Sequence, residues 1–220
     1  MSTTEITPAL TSPSDRSSKH RKAKAILAGG LVLGIGAAVT LAAWNDSEFI
    51  FGEFGGGHFQ MLGSAAVNEA PANHDVADSG AQLSFQINAG NLTRSQTVAA
   101  TYAVQLDAAT DYAATVKVNS AAGSGDAESS LKYGIFTVDG WTDCTPAATA
   151  ASTSGTQIVP AGTNLDSVAN AVAFDLAKSS NGTDPGSPVY LCFQVTADST
   201  LVQDKAAVAT WELLAESKAS

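Results

Sequence analysis

The feature that most limits what this chain can become is a two-residue alternation of apolar with polar or small side chains, recurring from about residue 83 onward. Val98, Ala100, Tyr102, Val104 and Leu106 share one face of an extended segment, and Val189, Leu191, Phe193 and Val195 share one face of another. Successive side chains of a strand point to opposite sides of its sheet, so such rows read as strands with one face on a core. Further rows are Leu83, Phe85, Ile87; Tyr112, Ala114, Val116, Val118; Leu131, Tyr133, Ile135; Val172, Phe174, Leu176; and Ala207, Ala209, Trp211, Leu213. With a short piece at residues 157–159, this makes eight or so strands. The expectation is an all-β chain, an antiparallel jelly-roll-like β-sandwich of one domain.

Turn-forming stretches set the expected connections. Residues 107–111 join two rows as a hairpin, and Asp139-Gly140 is a two-residue hairpin signal that puts Trp141 and Cys144 on the returning strand. Residues 119–130, 145–154 and 178–188 read as loops, and Asn164 caps a single helical turn over 164–170.

Ahead of the alternating region lies a different pattern. Lys19, His20, Arg21, Lys22 and Lys24 lead into residues 25–43, an uncharged run of 19 residues closing on Leu41-Ala42-Ala43 before Trp44-Asn45-Asp46. A basic start, an apolar middle and a small-residue cut make a secretory signal. As a helix the run would reach about 28 Å, enough for a membrane span. Gly29, Gly30, Gly34 and Gly36 argue against a permanent anchor, each weakening a helix by about 1 kcal/mol relative to Ala. Cleavage between Ala43 and Trp44 is expected, with a retained anchor as the other reading. Either way the positive charge precedes the apolar run and places the rest outside the cytoplasm.

The run GAAVTLAAWNDSE, followed by Phe49, Phe51, Gly52 and Phe54, resembles the signal and mature start of the TasA and camelysin group of exported bacterial proteins, its actinobacterial members in particular. The likeness covers residues 37–54; beyond them only a pattern of short strands is shared. It implies export through a SipW-type signal peptidase and a jelly-roll-like sandwich that polymerises into extracellular matrix fibres, an N-terminal segment adding as a strand to the next copy.

The residues after Trp44 suit that role. Phe49 and Phe51 alternate, Gly55, Gly56 and Gly57 interrupt, and Phe59 and Met61 alternate again, two extended pieces hinged at glycines. Burying a Phe side chain is worth about 1.5–3 kcal/mol, so this segment packs on its own domain or on another copy. Residues 63–81 are small, polar and acidic, longer than most connections inside a domain. The expected organisation is a leader and signal over 1–43, a donor segment over 44–62 carrying Phe49, Phe51, Phe54, Phe59 and Met61, a linker over 63–81, and a sandwich over 82–220.

Charge and cysteine content narrow the function. The whole chain carries −10; residues 1–43 hold five Lys/Arg against two Asp/Glu, which leaves six against nineteen, a formal −13, for the remainder. A nucleic-acid backbone would be repelled. Only Cys144 and Cys192 are present, both beyond the export signal, and one disulfide is the default in an oxidising compartment. Two free thiols, or a redox or metal role, are the other readings, though no CxxC occurs. Cys192 falls on the face opposite Val189 and Leu191, with Tyr190 and Gln194, so the bridge would lie outside the main core.

Catalytic chemistry finds little footing. His58 and His74 are the histidines beyond the signal, without the HExxH that sets two ligands on one helical face, and read as unrelated surface residues. GxSxG is absent, and GGGH at 55–58 lacks the Lys-Ser/Thr and helix of a phosphate loop. Acidic pairs such as Asp75 with Asp78 lack calcium-loop spacing. The chain is therefore expected to be a secreted, non-enzymatic fibre subunit without metal or cofactor. Its partners would be copies of itself and the signal peptidase, with membrane contact only through an uncleaved signal. The alternative is a monomeric secreted binding or adhesion module that uses its long loops.

Overall fold

The alternating rows fold into two antiparallel sheets packed face to face. The computed structural model describes residues 57–76, 79–86 and 89–218. Its strands are β1 (Met61–Ser64), β2 (Thr97–Leu106), β3 (Ala114–Ser124), β4 (Leu131–Val138), β5 (Gln157–Asn164), β6 (Phe174–Leu176), β7 (Val189–Ala197) and β8 (Val208–Ser217). One sheet runs β1-β2-β7-β4-β5, the other β6-β3-β8. From β2 onward the chain changes sheet at every connection except β4 to β5, which gives the jelly-roll-like winding. Among the described residues there is no α-helix, only short 3-10 turns such as Ala89–Asn91 and Glu128–Ser130.

The core is the sum of the inward rows. Val98, Val104 and Leu106 of β2, Tyr133 and Ile135 of β4, and Leu191, Phe193 and Val195 of β7 meet Ala114, Val116 and Val118 of β3 and Phe174 and Leu176 of β6. β6 lies against β2. At the other side of the small sheet, Trp211 of β8 packs on Tyr133 of β4 and Phe193 of β7, with ring centroids 5.4 and 5.2 Å apart.

Several expected connections differ. β2 and β3 are not a hairpin: β2 pairs with β1 and β7, and the chain after Leu106 crosses to the other sheet. Alternation tells which face of a strand is buried but not which strand lies beside it. β3 runs on to Ser124, through residues expected to be loop, because a bulge between Val118 and Ser120 shifts its register on β8 and turns Ala121 inward. Asp139-Gly140 makes no tight hairpin. β4 and β5 pair, but residues 139–156 between them form a long loop that holds Trp141 and Cys144 off any strand.

Other elements shift in length. Leu83 and Phe85 are half-buried against the core yet form no strand, joined to β2 by one backbone bond from the Gln86 N–H to the Ala99 carbonyl at 3.1 Å; Ile87 lies outside the described residues. β5 continues to Asn164, where a helical turn was expected to be capped, and residues 165–166 and 169–170 form turns instead. Val172 is exposed rather than sharing the inward row of Phe174 and Leu176. β1 crosses the boundary expected between donor segment and linker, pairing Met61 with Leu106 and Ser64 with Ala103. The compact unit that holds the sandwich begins at Gly57, ahead of residue 82.

Candidate functional site

Among the described residues, two sheets without closure leave four edges, and each exposed edge is a template for another strand. Three are blunted. On β1, Gly63 exchanges both backbone hydrogen bonds with Ala72, at 2.8 and 2.9 Å. β5 contains Pro160, which has no N–H, and Gly162 at φ +87, its pairing with β4 is broken by two register shifts, and its Ile158 carbonyl accepts the Val172 N–H at 2.8 Å. β6 is three residues long.

β8 is different. It spans ten residues, contains no proline, and among the described residues pairs on one side only, with β3. The Lys218 N–H bonds the Ala113 carbonyl at 2.8 Å, continuing the ladder beyond Ser217. Backbone groups of antiparallel strands alternate in direction. Those of Ser217, Ala215 and Leu213 therefore point away from β3, as do those of Trp211 and Ala209 beyond the bulge. The same residues, apart from Ser217, turn their side chains toward the core and are only half covered.

Charges on β8 face the other way. Glu212 accepts hydrogen bonds from Asn119 and Ser120, both at 2.8 Å, which hold its carboxyl below the usual range, and Glu216 pairs with Lys117 at 3.0 Å. These carboxylates are tied down on the outer surface of the small sheet, so none guards the open edge.

A second feature covers the outer surface of the large sheet. Cys144 and Cys192 form a disulfide, Cα atoms 5.1 Å apart, both fully buried with Ala99, Phe136 and Val138 in a small core separate from the main one. The bridge lies on the face its alternation indicated. Gln86 donates to the Cys144 carbonyl at 2.6 Å, Gln194 to the carbonyls of Thr145 and Ala148 at 2.8 and 2.9 Å, and the Thr101 hydroxyl to the Trp141 carbonyl at 2.9 Å. The loop so held frames an open depression of about 440 Å³ lined by Asp139, Asp143, Thr145, Ser152 and Ser154 among others.

The remaining expected site residues fall as follows. Ala43, Trp44, Phe49, Phe51 and Phe54 lie outside the described residues. Phe59 is 38% exposed, and Met61 is half-buried on the main core as the first residue of β1. His58 sits beside Asp107, with Nε2 at 3.3 Å from Oδ1, whereas Nε2 of His74 is buried without a partner. No three metal-ligating side chains come together among the described residues. The row of β8 carries neither proline nor inward charge, which the sequence displays. No signal marked which strand would be left at an edge.

No family model and no curated protein matches this chain.

Proposed function

We propose that this protein is a secreted structural subunit that assembles head to tail into extracellular fibres by strand addition. The observation that carries the reading is the open backbone edge of β8. Residues 61–62 already belong to β1, so the donor is the stretch before Gly57, which contains Phe49, Phe51 and Phe54. Residues 44–56 would span about 43 Å extended, more than the roughly 33 Å of a ten-residue strand. Gly57, the residue that follows them, lies beside Asp111 and Tyr112 at the β1 and β6 side of the sandwich, while β8 lies on the opposite side over β4 and β7. A donor on one side and an acceptor on the other make a contact that does not close on itself, which produces filaments. A disulfide as the state of both cysteines suits an oxidising, extracellular setting.

Electron microscopy tests this with three proteins: the chain from Trp44, the chain from Gly57, and Ala215→Pro in the longer form. Proline at 215 sacrifices an N–H that points outward, so the β3 pairing survives while strand addition is blocked. Filaments are expected from the first alone. Dispersed particles from the first, across pH and at high concentration, would remove the reading. The depression on the stapled 139–156 loop would then favour a monomeric binding module, whose ligand binding survives removal of residues 44–56.

A further inference from the structure

We infer that Thr110 and Asp111, on the connection between β2 and β3, are positioning residues that anchor the root of the N-terminal arm and fix where it leaves the sandwich. The inference rests on the strand-addition reading for its purpose, though not for its geometry. The β1–β2 ladder ends at Met61 opposite Leu106. Beyond it, side chains and backbone of the 107–111 connection together act as the strand partner. The Thr110 hydroxyl accepts the Gln60 N–H and donates to the Gln60 carbonyl, both at 3.2 Å, and that carbonyl also accepts the Asp107 N–H at 2.9 Å. One residue pair further out, Asp111 accepts the His58 N–H on Oδ2 and donates its own N–H to the His58 carbonyl, again at 3.2 Å each.

Thr110 is 4% exposed, one of few buried polar side chains among the described residues, and both of its hydroxyl bonds go to Gln60. An ordinary loop threonine would be solvated. Burying a hydroxyl is favourable only when it is hydrogen-bonded, so the site holds together only with residues 58–60 in place. Lys178 closes the far side, donating to the Asp111 carbonyl at 3.2 Å. A pull on the arm therefore meets these paired bonds before it reaches β1, which has just four residues to resist peeling.

Amide hydrogen exchange on the chain from Trp44 decides whether the anchor exists, with no filaments required. Thr110→Val should speed exchange at Gln60, and Asp111→Ala at His58, about five-fold for each bond lost, with β2 and β7 unchanged. Thr110→Ser and Asp111→Asn should restore protection. No local change, or equal loss across the whole sandwich, would overturn the inference. Assembly supplies the second readout: Thr110→Val and Asp111→Ala should form fewer and shorter filaments than the parent. Loss of protection at residues 58–60 with undiminished filaments would also overturn the positioning role. If the parent forms no filaments, strand addition fails, and exchange alone shows whether the root is fixed.

Discussion

Tyr102 of β2 occupies the space beside Gly63 of β1 that any Cβ there would need: an alanine methyl at 63 would collide with the phenol oxygen and ring. The pair pins β1, the shortest strand of the large sheet, in its register. A neighbouring aromatic covering an edge glycine is a recognised device for that purpose. Gly63→Ala should cost about 1–3 kcal/mol through overpacking, read as a lower denaturant midpoint, with exchange protection lost first at residues 61–64. Adding Tyr102→Phe should recover part of the loss, because the phenol oxygen meets the new methyl most closely.

Tyr102 also makes alkaline stability a test of the packing. Burial, reinforced by the negative charge of Glu69, pushes its phenol up to about 12. The folded state thus holds its proton more tightly than the unfolded chain, whose tyrosines ionise near pH 10. The associated stability is complete below pH 10 and is lost as pH rises from 10 toward 12. Unfolding midpoints across that range should fall less steeply in Tyr102→Phe than in the parent. Equal slopes would place Tyr102 in solvent.

The disulfide should stabilise the fold through the unfolded chain. Cys144 and Cys192 are 48 residues apart, and closing a loop of that length is worth about 4 kcal/mol in the chain-entropy description. The double variant Cys144→Ala with Cys192→Ala should unfold at correspondingly lower denaturant. It should also be cut faster within residues 145–156, since only the hydrogen bonds from Gln86, Gln194, Thr101 and Thr137 would hold that loop.

Trp211 reports on the open edge. Its ring is half covered and rests on Tyr133 and Phe193. Truncation to alanine should cost about 3 kcal/mol, the lower end for an aromatic because burial is partial. In the intact chain, strand addition along β8 would complete the cover. Its fluorescence, isolated by replacing Trp44 and Trp141 with Phe, should shift to the blue as filaments form, and stay constant in Ala215→Pro.

Much of this was written in side-chain periodicity. The rows of Val98 to Leu106, Val189 to Val195 and Ala207 to Leu213 told which side chains would face the core, because a period of two leaves a strand one apolar face, and the two-sheet class follows from having many such faces to cover. The placement of Cys192 opposite its apolar neighbours likewise located the disulfide outside the main core. Partnership was not written there. That β2 lies between β1 and β7 instead of pairing with β3, that a bulge after Val118 carries β3 through a polar stretch, and that β1 arises in a segment read as donor and linker all depend on backbone bonds between distant residues, to which any strand contributes the same N–H and C=O. For the same reason the open edge of β8, and the Thr110 and Asp111 anchor at the root of the arm, exist only once the sheets are assembled. The sequence by itself determined what must be buried; the tertiary structure decided which edges found a neighbour and which was left to find one elsewhere.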